Sequence, residues 1–326
     1  ANLHRLQRDG DVTRGGRRLL APALLLAAAA PSSAQDVHGG PGSVESLIRL
    51  DRAPAEGYWR IEALDRLRLA RNRRTVETGL SWGADVTAVT VAGEGEALGD
   101  GVAAETRFFV EWDLAGRGGR EPGALVARVA AGGDLDLAAS SLGFDDAAAG
   151  PAAAEPGFRL SDLYWRQRRF GGAQTLRIGL LDIADFFATS PFGDPATAFL
   201  NEAFGPGGGA VAYPAAGAFA VATGEDLGGG RRGSAAFVPR AVSGRDVADA
   251  AAWSGATLLD DLFVAAEIAY SESPGAHPPE EASLTVWTAP GAAAGGASAG
   301  VSWRFGRRWA GFARAGYADG GEAAFD

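Results

Sequence analysis

The residues best placed to do chemistry carry charges of both signs and recur at every second position. Glu105, Arg107, Glu111 and Asp113 share one face of the run 102–114, and Arg177, Glu267, Arg304 and Arg314 fall on the polar side of later runs. Arginine forks and carboxylates both pair with hydroxyl groups, so a mixed set suits an uncharged polyol better than an ion. The plainer alternative is a polar interior whose ion pairs neutralise one another. Other constellations are weaker. Gly296-Ala297-Ser298-Ala299-Gly300 matches a nucleophile elbow, but that motif needs a helix after it and a later histidine. A strand pattern follows instead, and no histidine lies beyond His277. His4, His38 and His277 are not spaced as metal ligands. Asp134 and Asp136 could begin a calcium loop, but no further ligands follow. The glycine-rich stretches GPGGGA and GGGRRG lack a strand–helix context and read as loop tips. No cofactor and no metal are expected.

Composition narrows the classes further. Cysteine and methionine are absent from the 326 residues and every one of the 30 basic residues is arginine, so disulfides, cysteine–zinc sites and a Walker-A lysine are excluded. A net charge of −10 argues against a nucleic-acid partner, which needs a basic face.

The elements that must position the charged residues read as strands. In 102–114, Val102, Ala104, Thr106, Phe108, Val110, Trp112 and Leu114 form the apolar face opposite the charges. Leu80, Trp82, Ala84, Val86 and Ala88 oppose Ser81, Gly83, Asp85 and Thr87 in the preceding run. The pattern returns around Leu176–Leu180, Val264–Tyr270 and Ala299–Phe305. Twelve strands are expected, near 79–91, 102–114, 123–132, 158–170, 174–183, 217–223, 234–241, 245–252, 256–271, 282–289, 297–306 and 309–318. A soluble sandwich also alternates, but strands of this length and aromatics at Trp82, Trp112, Tyr270, Trp303 and Trp309 favour a barrel that spans a membrane. An arginine on the lipid side would cost roughly 2–4 kcal/mol at the bilayer midplane, which forces the charged face inward.

Between strands lie Gly/Pro/Asp/Ala-rich stretches at 92–101, 115–123, 143–157, 184–217, 224–234 and 272–281. Segment 184–217 is too aromatic for a solvated loop, with Phe186, Phe187 and Phe192 close together, and is expected to fold back into a lumen. Upstream, 57–74 carries a helical pattern with Ile61, Leu64 and Leu67 near one face. Residues 35–56 read as a flexible leader. Arg14, Arg17 and Arg18, then an apolar run from Leu19 to Ala30 and the small residues Ser32 and Ala34, read as an export signal cleaved after Ala34.

Residues 160–214 resemble the carbohydrate-selective porin family, the OprB type. The resemblance rests on Asp162, Tyr164 and Gln167; on Leu176, Arg177, Gly179, Leu181 and Asp182; on Phe187; on Phe199, Leu200, Asn201 and Phe204; and on Tyr213-Pro214. Trp309–Gly320 is similar to the family's Phe-x-Arg-x-Gly-Tyr-x-Asp-Gly strand and turn. Leu180 stands where the family often has lysine, and the family's Gly-Asp-Trp-Gly-Gly opening and closing aromatic strand are not visible. The resemblance implies an all-β, sixteen-stranded outer-membrane barrel with an inward loop and an arginine-rich constriction. On those terms Arg107, Arg177, Arg304 and Arg314 would line the constriction. Arg107, Arg177 and Arg314 would donate to sugar hydroxyls, while Glu105 and Glu267 accept from them and hold the arginines. Phe186, Phe187, Phe192 and Asn201 would belong to the constriction loop.

The expectation is therefore a non-enzymatic porin in the outer membrane of a Gram-negative bacterium, in contact with lipid, passing small carbohydrates, with homo-oligomerisation left open. A porin for other solutes and a soluble periplasmic β-protein are the alternatives. The barrel domain is taken as 75–326, and the chain is expected to be truncated at its C-terminal end.

Overall fold

The computed structural model describes residues 39–52, 62–91, 101–134, 157–190, 192, 207, 210–211, 213–214, 217–239, 262–271, 280–289, 294–305 and 309–319. Among these the chain forms two α-helices, α1 (Val44–Arg52) and α2 (Glu62–Thr78), and eleven strands. The strands are β1 (Leu80–Val91), β2 (Gly101–Ala115), β3 (Gly123–Asp134), β4 (Gly157–Arg169), β5 (Gln174–Leu181), β6 (Ala218–Gly228), β7 (Arg231–Pro239), β8 (Leu262–Ser271), β9 (Glu281–Ala289), β10 (Ala294–Phe305) and β11 (Trp309–Asp319). Each pairs antiparallel with its neighbour in sequence, giving one sheet ordered β1 to β11. Of the twelve expected strands, 245–252 lies outside the described residues, as do residues 1–38.

The alternation read from the sequence sets the two faces. On β2, Glu105, Arg107, Phe109 and Glu111 are buried on the inner face, whereas Phe108 and Trp112 are half exposed outside. β1 and β2 pair with Asp85 opposite Arg107 and Trp82 opposite Val110, so charge meets charge inside and apolar meets apolar outside. At the contact of β3 with β4 the register shifts at Arg128/Val129. This bulge lets both Ser161 and Asp162 reach Arg128 from successive positions of β4.

Three expectations are corrected here. The leader at 35–56 contains α1, whose Val44, Leu47 and Ile48 are buried in the hydrophobic cluster. Their i, i+3, i+4 spacing builds one apolar stripe, and the Ser43 hydroxyl accepts from the Ser46 amide as an N-cap. The second helix runs to Thr78 rather than ending at 74, and Leu67 and Leu69 are exposed, so no apolar stripe holds it down among its described side chains. Segment 224–234 is not a loop: β6 and β7 meet at a tight turn in which Gly228, Gly229 and Gly230 all have positive φ.

Gly179 on β5 has φ +143°, and a Cβ there would lie 2.4 Å from the Leu163 carbonyl oxygen and 2.7 Å from the Tyr164 Cα. Both obstacles are backbone, so Gly179→Ala is expected to cost at least about 1–3 kcal/mol from the disallowed conformation alone, with the clash in addition. A lowered urea midpoint of the detergent-solubilised protein checks it.

Candidate functional site

The inner face of β1–β5 is lined with arginine, and five of these arginines meet carboxylates. Arg107 grips Asp85 with two parallel bonds, Nε to Oδ1 at 2.9 Å and Nη2 to Oδ2 at 3.0 Å. Arg159 pairs with Glu105. Arg166 makes a two-pronged pair with Glu111, both bonds at 3.0 Å. Arg128 lies among three carboxylates, Asp162 at 2.6 Å, Asp185 at 2.8 Å and Asp182 at 3.5 Å. Such charge-assisted pairs fix geometry strongly, and a buried arginine has no route to neutrality except a partner.

One pair of like charges shapes the centre of this wall. Arg166 on β4 and Arg177 on β5 stand directly opposite in register. Like charges so placed repel. Glu45 of α1 enters between them. Arg177 Nε donates to its Oε1 at 3.1 Å, Tyr164 donates its hydroxyl to Oε2 at 2.9 Å, and Arg166 Nη1 lies 3.9 Å away. Burial by itself raises the Glu45 carboxyl, but Arg177, Arg166 and the Tyr164 hydroxyl outweigh it and hold the group down at about 2. The chain before α1 is tied to the same wall, where Arg128 donates to the Gly42 carbonyl at 2.7 Å and the Gly40 amide to that of Asp185 at 2.6 Å.

The segment after β5 turns inward, as its aromatics suggested. Phe186 meets Tyr164 edge-on at 6.3 Å, and the Arg177 guanidinium lies 4.6 Å above its ring. Phe187 is fully buried and its carbonyl accepts from the Tyr213 hydroxyl at 2.6 Å. Room for these groups comes from small inner residues on β6–β8, Ala218, Ala220, Ala222, Ala236 and Ala265, all in the same cluster. The Ala188 amide donates to Glu267 Oε2 at 2.6 Å, Thr285 donates to the same oxygen at 2.8 Å, and Arg314 donates to the Ala188 carbonyl at 2.6 Å. Phe192 packs on Phe312 of β11 at 5.1 Å.

Between the loop and β9–β11 lies a small cleft open to solvent, with about 10 Å³ of enclosed room, lined by Thr189, Ser190, Glu281, Ser283, Ser302 and Arg314 among others. Arg232 of β7 pairs with Glu281 from the neighbouring wall. Hydroxyls, one carboxylate, one guanidinium and the Phe312 ring thus converge on one space.

The structure separates the expected site residues into groups. Glu105, Arg107 and Arg177 are buried in ion pairs on the β1–β5 wall, and Glu267 and Arg314 fasten the loop. Arg304 sits near the β10–β11 turn, exposed, 3.7 Å from Glu280. Asn201 lies outside the described residues. Sequence reasoning missed Glu45, Arg128 and Arg166 as site residues. Arg177 was visible as an inward position of an alternating run, but the helix that pairs with it was hidden in a glycine-rich stretch.

No protein-family model matches the chain, and no curated protein matches it. Among solved structures it is similar to the high-pH structure of Pseudomonas putida OprB, with a TM-score of 0.55 and 14% identity over 76% of this chain. The low-pH structure of the same protein matches with a TM-score of 0.47 and 10% identity, over 82% of this chain and 74% of that one. The antiparallel sheet of this chain thus shares its fold with the first of these structures. In the first match this chain spans 66% of the OprB chain.

Because Glu45 is held at about 2 against an ordinary 4.5, the ion pairs it makes stabilise docked α1 fully above the ordinary range and are lost as pH falls through about 2. Their contribution is on the order of 3 kcal/mol. The protection of the α1 amides against hydrogen exchange, measured relative to the intrinsic rate at each pH, is expected to be high at pH 5 and to fall as the pH approaches about 2.

Proposed function

We propose that this chain is an outer-membrane porin of a Gram-negative bacterium through which small sugars diffuse. The observation that carries the reading is the division of each strand into two faces. Outside, large apolar side chains stand exposed without a protein partner, among them Val86, Trp112, Ile268, Leu284 and Val301. Inside, charges of both signs and hydroxyls line the wall. A soluble sheet would turn its polar face to water, so an inward polar face with an exposed apolar exterior suits lipid outside and solution within. No described helix is long and apolar enough to cross a membrane, and the crossing is assigned to the strands.

The ion pairs of the β1–β5 wall bring five arginines together with eight carboxylates, an excess of negative charge that disfavours anionic solutes there. The cleft at β9–β11 offers Arg314 as donor, Glu281 as acceptor, and the hydroxyls of Ser283, Ser302, Thr189 and Ser190 on either side. Phe312 adds an apolar plane for a sugar ring face. Diffusion through such a space requires no bond to be made or broken.

Proteoliposomes carrying the protein are expected to swell in isosmotic monosaccharide, and its conductance in a planar bilayer to fall when sugar is added. Recovery of the protein in the soluble fraction without detergent would overturn the reading. Val110 faces outward opposite Trp82, three positions from inward Arg107. Val110→Arg is therefore expected to destabilise the barrel by roughly 2–4 kcal/mol, read as a lowered urea midpoint in lipid vesicles.

A further inference from the structure

We infer that α1 sets the width and charge of the channel: pinned by Glu45, it covers the β2–β5 side of the lumen and confines solute to the opposite wall, at β9–β11. The inference rests on the channel reading above and concerns which part of the lumen is open.

Two walls that look alike in sequence differ in what covers them. On the β2–β5 side, Tyr164, Arg166 and Arg177 are 1%, 3% and 4% exposed, and Glu45 of α1 contacts all three. Val44, Leu47 and Ile48 join the same apolar cluster as Phe186 and Phe187, so helix and loop close over this wall together. Gly42 caps Arg128, which in turn covers Ser161. A solute in the lumen meets the back of α1 here, not the arginines. On the other side Glu281, Ser283 and Arg314 are only partly buried and face the cleft. The contacts of α1 are with β1, β2, β3 and α2 and, through Glu45, with β4 and β5.

Charge follows from the same arrangement. Arg166 and Arg177 face each other with three carboxylates near them, Glu111, Glu45 and, 3.8 Å from Arg166, Asp113. Withdrawing Glu45 removes one negative charge from a wall that is newly open. The helix thus adds negative charge to this wall as well as narrowing the passage.

Glu45→Gln keeps the shape and an oxygen for Tyr164 while removing the charge that holds α1 to two arginines. In proteoliposome swelling with sugars and polyols of graded size, the variant is expected to admit larger solutes than the native protein. In a KCl gradient its reversal potential is expected to move toward anion selectivity. The chain has no cysteine, so single-cysteine variants report access without background. In the otherwise native protein, Ser283→Cys is expected to react with a charged methanethiosulfonate and lose flux several-fold, while Ser161→Cys stays unreacted. A conducting Glu45→Gln protein with native size limit and selectivity overturns the inference. If that variant does not fold, equal reaction rates at Ser161→Cys and Ser283→Cys overturn it instead. A native protein that passes no solute would end the channel reading itself, whereas the cysteine pattern would still report where α1 lies.

Discussion

The rest of the lumen depends on how two arginines that face each other across β4 and β5 are neutralised. Arg166 and Arg177 are opposite in register, and both are buried. An arginine cannot shed its proton to escape burial, so the sheet can place them there only if carboxylates come to them. Glu111 arrives from β2 and serves Arg166. Glu45 of α1 serves Arg177. A helix of nine residues is too short to be stable alone, so it is held by its partners: three apolar side chains in the core, one capping serine and one carboxylate between two guanidinium groups. The electrostatics of the wall and the placement of the helix are one problem with one solution.

How much of this could be read from the chain follows from the range of each interaction. The faces of β1, β2, β5 and β8 were legible because period-two alternation is local, and a slip of one residue would turn Arg107 outward and Phe108 inward. The inward loop was legible through Phe186 and Phe187, side chains too apolar to leave in water. Partner identities were not. Asp85 is 22 positions from Arg107, and Glu45 is 132 from Arg177. Only strand register and the path of α1 bring them together. The helix itself left a signal, Ser43 followed by Val44, Leu47 and Ile48, but nine residues among glycines and proline look like a leader when judged by composition. The opposite error occurred at α2, where Leu64 and Leu67 suggested a buried stripe although Leu67 stands exposed. The bulge at Ser161–Asp162 has no sequence mark, yet it decides which groups reach Arg128.

Around the sheet, side-chain size and chemistry change in step with what lies inside. β1–β5 carry long charged side chains that reach inward and are capped by α1. β6–β8 carry alanines, and the vacated depth is filled by Phe187, Val211 and the turn around them. There Phe263 stacks with Trp287 at 6.0 Å, and the Trp287 indole donates to the Ala210 carbonyl at 2.9 Å, fastening the far end of the loop. β9–β11 carry serines and threonine together with Glu281, Arg304 and Arg314, and the loop touches them through Phe192 on Phe312, Ala210 on Trp287 and Ala188 on Arg314.

That last contrast explains why a cleft survives on one side. Apolar inner residues would recruit further loop, as they do on β8, and unmatched charges would recruit an oppositely charged segment, as Arg177 recruits Glu45. Hydroxyls recruit neither strongly, because water satisfies them at little cost. The charges present there are already engaged: Glu281 by Arg232, and Arg314 by the Ala188 carbonyl. Arg314 therefore does two things at once, holding the loop tip at a fixed distance from β11 and bordering the space the loop leaves. A cleft bordered by hydroxyls and engaged charges, beside a wall covered by α1, is what the alternation of residue types around this sheet produces.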